Sequence, residues 1–372
     1  TREVFDEFYP GYGASWPWYY GGMGMTYENA SVRGLVVRKS DGTLYDFQNS
    51  VKMQFTSTIA TLETGAEYRP KLLDNFWAYT RSAVEEGQKE AVKEWILPRR
   101  GDVSAVDKLA HVLAEQGVEV RRAGAAFKNG GKEYPAGSYT VAVAQPRKRM
   151  VRALLDPEVP MDGDFVKEQE RRRKKGLRDE IYDVTAWSLP LMYNVEAVGA
   201  AEASAGQFAM VPATGYQPKG SVTGKAELAY LVPWGTQAAG RVLAAALRAD
   251  LKVLSSNRSF TQEGRKYPTG TLVVMVAQNP ASVHDTVAKL AGETGAEVVA
   301  TGSGWVDEGV NFGSNRVARL KKPRVAMVWD QPTSSLSAGH TRFVLERMYG
   351  YPVTAIRGQM LGMVDLSKFD VL

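Results

Sequence analysis

The feature that most constrains this chain is a stretch it contains twice. Phe127–Gln145 reads FKNGGKEYPAGSYTVAVAQ, and Phe260–Gln278 reads FTQEGRKYPTGTLVVMVAQ. They align without a gap at an offset of 133 residues (127 to 260). They agree at nine of nineteen positions, among them Phe, Tyr-Pro, two glycines and the closing Ala-Gln. A match of this length at a fixed offset marks a structural unit built twice. Each copy follows an amphipathic helical pattern, Ala105–Gln116 or Thr236–Ala249, and a short apolar stretch, Val118–Arg121 or Leu251–Leu254. Each is followed by an apolar strand, Ser138–Ala144 or Thr271–Ala277, and a further helical stretch. The expected unit is helix, strand, β-turn, strand, helix.

Around this duplication the pattern changes. Residues 1–25 are dense in Gly, Pro, Tyr and Trp, a composition no helix tolerates, so an ordered loop held by aromatic packing is expected. Met23–Glu28 (MGMTYE) reads as a short buried strand, and residues 46–65 and 70–96 carry long helical patterns. After Pro323 the spacing gives a strand at Arg324–Trp329, a Gly-His turn, a helix at Thr341–Met348, and strands at Pro352–Ile356 and Phe369–Leu372. That is the opening of a doubly wound parallel sheet. The chain starts at Thr1 and stops inside an apolar run, so both ends read as cuts.

Several chemistries are excluded or weakened. With no cysteine, disulfides, thiolate metal ligands and cysteine nucleophiles are out. No apolar run is long enough to span a bilayer. The net charge of +5 is modest, and its main cluster, KEQERRRKKGLR at Lys167–Arg178, reads as a solvated helix face with mixed charges. No stacking aromatics interleave with it, which argues against nucleic acid. His111, His284 and His340 start no H-x-x-E or H-x-x-x-H pair, so no helix face offers zinc two ligands. His340, beside Gly339, reads as a helix-start residue. Gly220–Ala226 is one residue short of a phosphate loop and lacks its hydroxyl residue, so it reads as a flexible loop. Glu28 remains: a carboxylate at the end of a glycine-flanked apolar strand is suited to general acid–base work, or else simply faces solvent.

Phe8–Gly34, FYPGYGASWPWYYGGMGMTYENASVRG, resembles the last third of the catalytic domain of zinc-dependent carboxypeptidases. That resemblance implies that Glu28, in Thr26-Tyr27-Glu28, is the general base and acid. It also implies that Tyr9, or Tyr12, is the mobile substrate-contacting tyrosine, and that Trp16–Tyr20 shapes the specificity pocket. The helix the family places after this strand falls on Asp46–Leu62. The family's zinc ligands and substrate-carboxylate arginines would lie upstream. Zinc is therefore expected in a parent protein, with no metal ligand here and this chain alone inactive. The segment YDVTAWSLPLMYNVEA is similar to extensions of large bacterial carboxypeptidase-like proteins, whose last domain resembles class I glutamine amidotransferase or flavodoxin-like sheets. Such proteins are exported, which implies a periplasmic or secreted location.

The expected architecture is α/β, in five parts. Residues 1–97 form the end of a carboxypeptidase-like domain, and 98–160 and 234–322 the two repeats, joined by 161–233. Residues 323–372 start a flavodoxin-like doubly wound sheet. The expected partners are a peptide substrate and the absent N-terminal part of the catalytic domain. The competing expectation is a non-catalytic, extracytoplasmic peptide- or ligand-binding scaffold.

Overall fold

The structure, a computed structural model, describes residues 9–32, 34–158, 161–180 and 188–372. Phe8 and Arg33 of the aromatic stretch, and 182–187 of the YDVTAW segment, lie outside the described residues. The fold is mixed α/β. It falls into two units, Thr1–Arg99 with Leu109–Gly215, and Arg100–Lys108 with Tyr216–Leu372.

Unit one opens with a single 3-10 turn, Trp16–Tyr20, and an antiparallel pair, β1 (Val36–Arg38) and β2 (Leu44–Asp46). Then come α1 (Phe47–Glu67), capped by the Asp46 carboxylate on the N–H of Asn49, and α2 (Arg69–Gly87). The helical pattern of 70–96 overruns: α2 stops at Gly87, and Glu94–Leu97 is a fully buried strand, β3. Four consecutive buried residues read equally well as helix or strand, and here strand pairing decides. No residue of α1 is buried, and α2 buries only Ala83 and Gly87. Phe55, Leu62 and Trp77 are each more than 60% exposed, a broad apolar surface of the kind that marks an interaction face.

The first copy continues through α3 (Val103–Glu115), β4 (Val120–Ala123), a hairpin of β5 (Phe127–Asn129) and β6 (Lys132–Tyr134), β7 (Tyr139–Ala142) and α4 (Lys148–Leu155). Helices α5 (Gly163–Lys174) and α6 (Leu189–Tyr193) intervene before β8 (Val198–Ala200) and β9 (Phe208–Met210) close it. Unit two holds β10 (Ser221–Val222), β11 (Ala229–Val232), α7 (Gln237–Arg248), β12 (Leu254–Ser256), the hairpin β13 (Phe260–Gln262) and β14 (Arg265–Tyr267), β15 (Leu272–Met275), α8 (Val283–Thr294), β16 (Glu297–Thr301) and β17 (Val317–Arg319).

The duplication is a duplication of topology. One sheet has the order β8-β3-β7-β4-β9, and the other repeats it as β16-β11-β15-β12-β17, with β10 added beside β16. All the pairings within each five-strand set are antiparallel. The repeating unit is therefore larger than helix, strand, turn, strand, helix: it gains a first strand and two closing strands. β10 corrects the reading of Gly220–Ala226 as a flexible loop, because Ser221 and Val222 pair in parallel with Glu297 and Val298.

The residues shared by the copies have identifiable roles. Phe127 stacks on Tyr134 at 5.2 Å and Phe260 on Tyr267 at 5.0 Å, closing each hairpin over its sheet. Pro135 and Pro268 begin turns in which Ser138 N–H and Thr271 N–H donate back to the proline carbonyl, each at 3.2 Å. Gly137 (φ +84°) and Gly270 (φ +91°) fill the positions in those turns that disfavour a side chain. Gln145 bridges to the backbone of Glu119. In the second copy Asn279, one position further on, does the same for Lys252, so the shared Ala-Gln is not the conserved contact.

The last fifty residues carry β18 (Val325–Trp329), α9 (Ser335–Arg342) and β19 (Val353–Arg357). β18 and β19 are parallel, and Val371 bridges Val325 in parallel, which gives the order 2-1-3 of a doubly wound start. Gly339 and His340 lie inside α9 rather than in a turn before a helix, because the Ser334 hydroxyl caps the helix early on Ser337 N–H. His340 therefore sits in the last turn and not at a helix start. Among the described residues no helix is long and apolar enough to cross a membrane.

Candidate functional site

The aromatic loop is built from short-range turns. Tyr12 N–H donates to Tyr9 carbonyl at 3.4 Å, and Trp16 N–H to Tyr12 carbonyl at 2.8 Å. The Tyr9 and Tyr12 rings meet edge to face at 5.4 Å, and Trp16 packs against Tyr19 and Tyr20 at 5.8 and 6.4 Å. Tyr20 donates to Gln116 Oε1 at 2.7 Å, and its ring lies 4.3 Å below the Arg147 guanidinium. Burial first, and then the neighbouring Tyr79 phenol, push the Tyr19 hydroxyl above the usual tyrosine range. Over Tyr9–Tyr20 the loop is held by aromatic packing; residues 1–8 of the stretch expected to form it lie outside the described residues.

Beyond it the backbone passes so close to the loop that a Cβ on Gly24 would lie 1.7 Å from the Ala14 carbonyl oxygen, which only glycine permits. Met23–Glu28 forms no strand within a sheet and is exposed, not buried. Two contacts pin it to α1: Gln54 Nε2 donates to the Tyr27 carbonyl at 3.1 Å, and Asn29 Nδ2 to the Ser50 carbonyl at 3.2 Å. Asn29 Oδ1 accepts from Tyr45 at 2.8 Å, and the Tyr27 and Thr61 hydroxyls are 2.7 Å apart.

Glu28 stands between these pins in the wall of an open concavity of about 870 Å³, with Thr26, Lys39, Asn49, Lys52 and Gln54 also lining it. Among the described residues its carboxylate has no hydrogen-bond or ion-pair partner. Tyr9, Tyr12 and Trp16 do not line this concavity. Sequence reasoning missed Lys39 and Lys52. The signal for Lys52 was the helical spacing of Asn49, Lys52, Met53 and Thr56, which puts them on one face of α1.

The donor chemistry does not suit a zinc site in the described residues: no group of three or more His, Asp or Glu is placed to hold a metal. His284 Nδ1 is engaged with the Tyr230 hydroxyl at 2.8 Å. The basic run on α5 is largely paired, with Arg171 on Glu168, Arg172 on Glu180 and Arg173 on Asp179.

A second chemically distinct place lies under the first copy's hairpin. Glu94, fully buried, accepts from Ser204 N–H at 2.9 Å and faces Arg121 Nη2 at 3.4 Å. Thr140, also buried, has a hydroxyl with no partner among the described residues. By register the second copy has Ala229, Leu254 and Val273 at these three positions, within an apolar cluster. Glu94 was hidden in the sequence by the apolar run that follows it. Aligning the first strands of the two copies would have exposed it.

Comparison with models of protein families, with curated proteins and with solved structures finds no match to this chain.

Proposed function

We propose that residues 1–97 are the closing part of a zinc-carboxypeptidase-like catalytic domain. In this reading Glu28 is its general base and acid, and Tyr9, Tyr12 and Trp16 belong to the substrate-facing loop. The observation that carries the reading is the placement of Glu28: a carboxylate with no partner among the described residues, fixed by side-chain pins on both sides, in the wall of an open concavity. Such a group can take a proton from an attacking water and return it to the leaving amine. The substrate class is a peptide with a free C-terminus, and the setting is extracytoplasmic. On this reading the zinc ligands are supplied by polypeptide outside these 372 residues; among the described residues no group of three or more His, Asp or Glu is placed to hold a metal. The exposed faces of α1 and α2 are where that polypeptide would pack.

The test is made in a polypeptide that carries the ligand pair upstream of this sequence. Glu28→Gln should lower peptide turnover by about 10²–10⁴-fold with zinc content unchanged. Unchanged turnover would remove Glu28 from the chemistry. A scaffold without catalysis is the second reading. It is favoured by the position of Tyr9, Tyr12 and Trp16 outside the Glu28 concavity, and it predicts peptide binding without hydrolysis in that same polypeptide.

A further inference from the structure

Of the described residues lining the Glu28 concavity, three carry charge: Glu28, Lys39 and Lys52. Both lysines stand on ordered backbone. Lys39 N–H donates to the Thr43 carbonyl at 2.8 Å, and the Lys39 carbonyl accepts from Gly42 N–H at 3.0 Å, which closes the turn between β1 and β2. The Lys39 ammonium lies 4.9 Å from the centre of the Tyr45 ring. Tyr45 is buried, and its hydroxyl donates to Asn29, the residue after Glu28. A buried ring tied to the neighbour of Glu28 thus holds the first cation at the site. Lys52 shares one face of α1 with Asn49 and Thr56, which also line the concavity. Asp41, on the same turn as Lys39, accepts from the Thr43 N–H and hydroxyl and does not line the concavity.

Resting on the reading of Glu28 given above, we propose that this concavity selects peptides whose last residue is acidic, with Lys39 and Lys52 as the specificity-determining residues. The two cations outnumber the one carboxylate, so the lining favours an anionic side chain and disfavours a basic one. They come from different elements, the β1–β2 turn and α1, so a carboxylate between them is met from two directions. The volume of about 870 Å³ is that of a small-ligand site. Glu28 repels the ligand's acidic side chain, so the attraction belongs to the lysines alone.

The test is binding of acetyl-Gly-Glu and acetyl-Gly-Gln to the 372-residue chain, followed by amide NMR shifts. Both probes have a free C-terminus, so they differ only in the side-chain charge. Acetyl-Gly-Glu should bind about two- to fivefold more tightly for each lysine it meets, the worth of an exposed ion pair, and the preference should fade in high salt. Lys39→Gln and Lys52→Gln should each narrow the preference by that factor while leaving acetyl-Gly-Gln unchanged. Glu28→Gln should tighten acetyl-Gly-Glu. Absence of binding, equal affinity for the two probes, or shifts away from Lys39 and Lys52 would each overturn the proposal. So would lysine variants that weaken both probes alike, since the lysines would then meet only the terminal carboxylate. None of these measurements needs zinc. An acidic preference with turnover indifferent to Glu28→Gln would refute the catalytic reading alone, and the reverse pattern would refute the preference alone.

Discussion

The two copies allow one prediction to be worked closely, because the second is an internal control for the first. Arg121→Leu gives β4 the residue that β12 has as Leu254. It leaves Glu94, with no exposed side-chain surface, facing one backbone N–H and no cation. Removing one partner of a buried ion pair costs about 3–5 kcal/mol. Arg121 is 37% exposed and its contact is 3.4 Å long, so water already weakens the pair and about 2–3 kcal/mol is the expected loss. Thr140→Val replaces an unpartnered buried hydroxyl and should gain about 1 kcal/mol. The combination Glu94→Ala, Arg121→Leu and Thr140→Val restores the apolar set of the second copy. It should return stability to within about 1 kcal/mol of the starting chain, or above it. Amide exchange of β3, β4 and β7 under mild denaturant is the assay, since it reads this sheet apart from the other unit. An Arg121→Leu chain with unchanged exchange, or a triple variant as weak as the single one, would refute the reasoning.

Three further outcomes are expected. Lys148, nearly buried, meets Glu86 and Glu90 at 2.9 Å each and ties α4 to α2 and the segment after it; Lys148→Met should cost about 1–2 kcal/mol of protection in α4, less than a fully buried pair because Glu86 is half exposed. Hydrogen bonds from Lys148 hold Glu86 and Glu90 below the usual glutamate value; carboxylates lowered by folding stabilise above about pH 4.5 and lose that contribution as pH falls through their folded values, so acid titration should loosen α4 in wild type more than in Lys148→Met. Asp102 accepts from Ala105 N–H at 3.0 Å, Ser104 hydroxyl at 2.7 Å and Gln237 N–H at 2.6 Å, so Asp102→Ala should lower stability by about 1–2 kcal/mol in thermal melting, with Asp102→Asn milder.

What was legible in the sequence was local. The Tyr-Pro-x-Gly turn and the stacked Phe–Tyr pair act within a few residues, so they survive in both copies as letters and announce the duplication. The closing strands β8, β9, β16 and β17 are three to five residues long and are defined by partners far along the chain, so no local pattern marks them. Met23–Glu28 has strand periodicity but no neighbour in the described residues, and periodicity alone cannot form a ladder. Glu28 is singled out in the sequence as a carboxylate closing a glycine-flanked apolar stretch, and again by the resemblance, whereas the lysines around it come from β1–β2 and α1 and meet only in three dimensions. Glu94 was missed because a buried charge inside an apolar run looks like the end of that run.

The insertion carrying α5 and α6 also bears on the order of assembly. In the first copy Ile96 must find Val198, 102 residues on; in the second Leu231 finds Val299 after only 68. Loop closure rises with the logarithm of length, so the longer search costs only about 0.4 kcal/mol more. Rates are more sensitive than stabilities to such separations. On chain separation alone, the second sheet is expected to close ahead of the first, whose edge strand is the more distant.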